Sequence, residues 1–124
     1  MDDGLRRCPS LTRVHMRTGT VTNADGTRLL RSLPQLRALH FLNVHVALPS
    51  LRFLQHAPQL DQIDFSFCDG MRPAHLTFLG QALPNLTDLC VWCCDGLQLD
   101  VSQRRALTPP SRLLPNLRKF ECLA

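Results

Sequence analysis

A chain of 124 residues with 44% apolar side chains is sized for one domain around one core and is not a disordered composition. No apolar run approaches the ~20 residues that cross a bilayer, and Met1-Asp2-Asp3-Gly4 lacks both the apolar core of a signal peptide and the acid-poor start of a transit peptide. The expectation is an intracellular chain, cytoplasmic first, mitochondrial or nuclear next, with no membrane insertion. The net charge of +4 comes almost wholly from arginine, Lys119 being the single lysine, and the basic residues alternate with acids instead of forming the stripe of a nucleic-acid footprint.

Taken in order, residues 1 to 10 lead into Cys8-Pro9-Ser10-Leu11, and a first strand is expected over Leu11, Val14, Met16 and Gly19. Leu29, Leu30 and Leu33 follow with helical spacing after Asp25-Gly26, and Pro34 stops that helix. Leu36, Leu39, Phe41 and Val44 repeat the strand pattern, and Leu51, Leu54 and Ala57 give a second helix after Pro49-Ser50. Leu60, Ile63, Phe65 and Cys68 come next, followed by a third helix with Pro73 in its first turn and Leu76, Leu79 and Leu83 along one stripe. The plainest copy of the strand phrase is Leu83 to Gly96, LPNLTDLCVWCCDG, with Leu86, Leu89, Val91 and Cys94 in the spacing LxxLxLxxC. Asp69-Gly70 follows Cys68 as Asp95-Gly96 follows Cys94. Asp100 is a plausible N-cap for a helix through Ala106. Thr108-Pro109-Pro110-Ser111 interrupts it before a last turn at Arg112 to Leu114, and Leu117, Phe120 and Cys122 begin a final strand. The first leucines fall at 11, 36, 60, 86 and 117, steps of 25, 24, 26 and 31, and a proline stands two residues before each of them, from Pro9 to Pro115. Self-similarity at a fixed period marks a stacked repeat.

The segment CPSL followed by VTNADGTRLLRSLPQL, Val21 to Leu36, resembles the cysteine-containing leucine-rich repeat, CPxLxxLxLxxCxxITDxGLxxLAxxCPxL. Val21-Thr22-Asn23 stands for Ile-Thr-Asp, and Leu29, Leu30 and Leu33 for the helical leucines. The resemblance implies an α/β fold: a right-handed leucine-rich-repeat solenoid with a parallel β-sheet on its concave side and helices on its convex side. It would fill residues 1–124 as a single domain of about four full repeats plus a partial terminal one. The chain is similar to the repeat region of ubiquitin-ligase substrate receptors of the F-box class and to small mitochondrial assembly factors. It departs from the pattern where Gly19 and Val44 replace the strand cysteine and Leu33 and Ala57 the cysteine before proline, and it has no F-box.

Most of the six cysteines sit at repeat-equivalent or inward strand positions, which reads as packing and not as a disulfide framework. In the resembled family the strand cysteine satisfies the turn backbone. Cys90 and Cys93 form one CxxC, whose members strand alternation sends to opposite faces.

With the leucines inward, the intervening residues form three outward rows: Arg13, Ala38, Gln62, Asp88, Lys119; His15, His40, Asp64, Cys90, Glu121; and Arg17, Leu42, Ser66, Trp92, Leu123. The candidate partner-binding residues are Arg13, His15, Arg17, His40, Leu42, Asp64, Ser66, Asp88, Trp92 and Glu121, with Trp92 and Arg17 the residue types that anchor interfaces. His15, His40 and Asp64 have the residue types of a two-histidine, one-carboxylate metal site, and Ser66 with that pair those of a nucleophilic centre, but an open sheet supplies neither a second shell nor an oxyanion site. His45, His56 and His75 are expected off the strands. No catalytic residue, cofactor or metal is expected.

The function expected is noncatalytic protein interaction or assembly within a larger intracellular complex, through the concave sheet and the open ends. A first or last parallel strand exposes its edge, so at least one end is expected to be covered by another chain or continued in a longer solenoid. The alternatives are a ribonucleoprotein subunit using Arg6, Arg7, Arg13, Arg17, Arg104 and Arg105 on phosphate, and the substrate-recognition part of a ubiquitin-ligase receptor.

Overall fold

The computed structural model describes residues 11–94 and 97–123. The readings placed on Met1 to Gly4, on Arg6, Arg7 and Cys8-Pro9-Ser10, and on Asp95-Gly96 lie outside those residues. Strands and helices alternate: β1 (Arg13–Thr20), α1 (Asn23–Ser32), β2 (Ala38–His45), a 3₁₀ helix (Leu48–His56), β3 (Gln62–Ser66), α2 (Pro73–Ala82), β4 (Asp88–Trp92), α3 (Val101–Leu107) and β5 (Lys119–Leu123). The strands form one five-stranded sheet in the order β1-β2-β3-β4-β5. Every neighbouring pair is parallel, so the chain is a mixed α/β fold with helices flanking a parallel sheet.

Strand register follows the leucine phrase. Val14, Leu39, Ile63, Leu89 and Phe120 pair in one line across the sheet, and Met16, Phe41, Phe65, Val91 and Cys122 in the next. These side chains share one core with Leu29 and Leu33, Leu51 and Leu54, Leu76, Leu79 and Leu83, and Leu107, so the helices cover the face of the sheet on which the leucines point. Burying each such side chain fully is worth ~1.5–3 kcal/mol, but only because a neighbouring strand and helix close over it. On the edge strands the same positions, Val14 and Met16 on β1 and Phe120 and Cys122 on β5, are only half-buried.

The backbone repeats as regularly as the side chains. The amide pairs Arg37 and Ala38, Asp61 and Gln62, Thr87 and Asp88, and Arg118 and Lys119 donate to the carbonyls of Thr12, Arg37, Asp61 and Thr87 respectively. Leu36, Leu60, Leu86 and Leu117 each donate to the carbonyl three residues back, closing the turn that the prolines enter. Just past the outward rows, Asn43, Phe67 and Cys93 adopt left-handed backbone with φ of 55°, 55° and 51°, each one residue before the position held by Val44, Cys68 or Cys94. The two buried cysteines then act alike: the Cys68 thiol donates to the Phe41 carbonyl at 3.3 Å and the Cys94 thiol to the Phe65 carbonyl at 3.5 Å.

Several local expectations are corrected. α1 starts at Asn23, ahead of Asp25-Gly26, because Thr22 caps it: the Thr22 Oγ1 accepts from the Asp25 amide at 3.1 Å and the Asp25 carboxylate accepts from the Thr22 amide at 3.3 Å. Gly26 therefore lies inside the helix, where the Phe53 ring occupies the space that a Cβ would need. The second helix is 3₁₀, which suits Leu48, Leu51, Leu54 and Ala57, apolar at every third position with Pro49 in the first turn. The last turn expected at Arg112 to Leu114 is a bend. There Ser111 Oγ donates to the Ala106 carbonyl at 2.8 Å and accepts from the Leu114 amide at 3.0 Å. Asp100 does cap α3, accepting from the Gln103 amide at 2.7 Å.

Two histidine placements are informative. His45 lies on β2, pairing with Thr20, and its ring meets the Asp69 carboxylate at 2.9 Å, so it is not off the strands. His75 is 2% exposed near the start of α2; its Nδ1 accepts from the Arg72 amide at 3.1 Å and its Nε2 donates to the Val46 carbonyl at 2.9 Å. Those bonds fix the neutral tautomer, and burial holds the pKa of His75 below its ordinary value. The described helices include none long and apolar enough to cross a membrane.

Candidate functional site: the outward face of the sheet

Because strand side chains alternate, fixing Leu39, Phe41, Ile63, Phe65, Leu89 and Val91 in the core fixes the residues between them on the other face. The register assembles the three expected rows: Arg13, Ala38, Gln62, Asp88 and Lys119 pair in series, as do His15, His40, Asp64, Cys90 and Glu121, and Arg17, Leu42, Ser66, Trp92 and Leu123.

At the β1 end the face is basic. Arg13 reaches across the small Ala38 to donate to Gln62 Oε1 at 3.4 Å. The His15 and His40 rings stack with centroids 4.5 Å apart and planes 18° from parallel. His40 Nδ1 lies 3.9 Å from Asp64 Oδ2, while the enclosed His40 Nε2 has no hydrogen-bond partner. Burial pushes the pKa of His40 down; Asp64 opposes this, and His15 and Arg13 reinforce it. The neutral ring therefore dominates near pH 7.

Toward β5 the face turns acidic. Ser66 Oγ donates to Asp64 Oδ1 at 2.7 Å, Thr87 Oγ1 to Asp88 Oδ1 at 3.0 Å, and the Cys90 thiol faces Glu121 Oε2 at 3.7 Å. Lys119 Nζ pairs with Glu121 Oε1 at 3.3 Å. Asp64, Asp88, Cys90, Lys119 and Glu121, together with Trp92, which is 40% exposed, line a cleft of about 170 Å³. Burial, with the Asp64 and Glu121 carboxylates adding to it, pushes the Cys90 thiol up to about 12, a sign of the negative field inside the cleft.

The sheet thus brings together Asp64, Asp88, Trp92 and Glu121 at one end and Arg13, His15 and His40 at the other, with Leu42 and Ser66 between Arg17 and Trp92 in their row. Among the described residues no group of three or more histidine, cysteine or acidic side chains is placed to hold a metal ion. Gln62, Cys90 and Lys119 also line the cleft; their place in the outward rows was the signal for them. Cys90 and Cys93 do not act as an alternating pair, because the left-handed backbone at Cys93 ends the strand geometry there. Comparison with protein families, with curated proteins and with solved structures finds no match to this chain.

Proposed function

We propose that this chain is a noncatalytic protein-interaction or assembly module of a larger intracellular complex, built as a leucine-rich-repeat solenoid of the cysteine-containing type and binding its partner across the outward, concave face of the sheet. The solenoid reading is supported by recurrence at every level: the leucine phrase, the shared backbone hydrogen bonds, the left-handed residue before each strand cysteine, and the two thiols donating to equivalent carbonyls. Cys68 and Cys94 direct their thiols to backbone carbonyls, which supports a reducing, intracellular setting for this chain.

The observation that carries the reading is Trp92, held on a rigid parallel sheet, 40% exposed, above a cleft lined by three carboxylates. A rigid surface limits the ordering cost of association, and a large amphipathic ring beside fixed charges is the residue environment from which interface anchors are drawn. The partner surface that fits is basic toward β5 and neutral to acidic toward Arg13 and Arg17. Half-buried Val14 and Met16 on β1 and Phe120 and Cys122 on β5, on the core side of the sheet, offer apolar contact at its open edges and not on the outward face.

Affinity capture from the native source with wild type and Trp92→Ala, followed by salt titration of the captured complex, tests this. The reading predicts a protein partner lost with Trp92→Ala and weakened only shallowly by salt, because a few screened rim charges surround an apolar anchor. Release of nucleic acid with a steep salt dependence would instead establish phosphate contacts by Arg13, Arg17, Arg104 and Arg105.

A further inference from the structure

On the helical side, the 3₁₀ helix packs on α1 with the Phe53 ring set in the space that a Cβ on Gly26 would fill. Along their junction runs an open groove of about 570 Å³, within the size range of specific ligand sites. Its α1 wall carries Asn23, Thr27, Leu30 and Arg31, positions spaced to share one helical face, and the 3₁₀ wall carries Arg52 and His56. Half-buried Leu30, with the edge of Phe53, forms an apolar floor.

The charge on this groove is of one sign. No carboxylate lines it, and the nearest acid on α1, Asp25, is engaged by Arg28 at 2.8 Å and by the Thr22 amide. Arg31 and Arg52 have no ion-pair or hydrogen-bond partner among the described residues. Two uncommitted guanidiniums beside an aliphatic floor suit carboxylates on an extended chain with an apolar side chain between them, since each guanidinium can take a carboxylate through two parallel hydrogen bonds. Single-stranded nucleic acid fits less well: it is held by bases stacked on exposed aromatic rings, whereas the Phe53 ring is 1% exposed and the accessible apolar side chain of the floor is Leu30.

We propose that the groove between α1 and the 3₁₀ helix is a second docking site, for an acidic segment of a partner protein that places an aliphatic side chain on Leu30 and carboxylates on Arg31 and Arg52. It lies across the core from Trp92 and does not depend on the outward face of the sheet.

The test is fluorescence anisotropy on the full chain with a labelled peptide of alternating glutamate and leucine, against a glutamate-only peptide of equal charge and a single-stranded RNA of equal charge. The expected result is tightest binding to the glutamate–leucine peptide. Arg31→Gln and Arg52→Gln each weaken it about tenfold or more and together on the order of a hundredfold, as lost charged hydrogen bonds require. Trp92→Ala leaves it unchanged. Both arginines are exposed, so circular dichroism of the variants should match wild type. Equal binding of the glutamate-only peptide would overturn the role of the apolar floor and with it the proposal. Tighter binding of RNA, or peptide binding that survives the double substitution, would overturn the proposal outright.

Discussion

Phe41 and Phe65 offer the sharpest stability experiment. Both rings are fully buried and stack with centroids 5.0 Å apart and planes 7° from parallel, because the β2–β3 register sets the two residues opposite each other. Truncation of either to alanine should cost about 3–5 kcal/mol, a large share of the roughly 5–15 kcal/mol that holds a domain together. Leucine keeps the fold measurable. Phe41→Leu and Phe65→Leu should each cost about 1–2 kcal/mol through lost contacts and a small residual gap. An offset aromatic stack adds about 0.5–1.5 kcal/mol beyond area burial, so the double variant should be less destabilised than the sum of the singles by that amount. Urea unfolding followed by circular dichroism, with a common slope across the four proteins, reads the coupling directly. A coupling below about 0.3 kcal/mol, the level at which independent sites add, would refute the stack and the parallel register behind it.

His75 should make the protein acid-sensitive. Its folded pKa lies below the reference value of 6.5, so its contribution is complete above that pH and is lost as pH falls through the folded pKa. His40, also lowered chiefly by burial, acts in the same direction. His75→Leu should be about 1–3 kcal/mol less stable at pH 8, with the Arg72 amide and Val46 carbonyl unpaired, and its urea midpoint should fall less than that of wild type between pH 7 and pH 5. An unchanged pH slope would contradict the buried neutral ring. In a brief iodoacetamide pulse at pH 8, Cys90, with its thiol held near 12, should react at least about a hundredfold more slowly in the native protein than in urea. Mass spectrometry showing Cys90 among the first sites labelled would contradict the acidic cleft. Asp100→Ala should cost about 0.5–2 kcal/mol by removing the α3 cap, seen as faster hydrogen exchange at the Gln103 amide.

The order of elements and the pairing of strands were legible from the leucine phrase, since a two-residue alternation anchored on Leu39, Ile63 and Leu89 leaves only one face for their neighbours. The outward rows followed from the same alternation. What escaped the sequence was whatever depends on backbone or on pairs of elements. Asn43, Phe67 and Cys93 share a left-handed conformation but no chemistry, and a phenylalanine gives no hint of it. The 3₁₀ helix was concealed because an apolar residue at every third position suits one α-helical face over three turns nearly as well. The helical groove was invisible because Arg31 and Arg52 lie on different helices and line one groove only once those helices pack together at Gly26 and Phe53. Trp92 could be placed in a row but not given an exposure, since whether a large ring is covered depends on its neighbours.

Trp92 is the one tryptophan of the chain, so its emission reports on the outward face without a label. Acrylamide quenching with and without the captured partner is therefore the most direct measurement of where binding occurs. The free protein should be readily quenched, as 40% exposure requires, and saturation with partner should protect the ring and shift its emission to the blue. Unchanged quenching in a fully formed complex, with Trp92→Ala binding as tightly as wild type, would contradict the assignment of the sheet face as the binding surface.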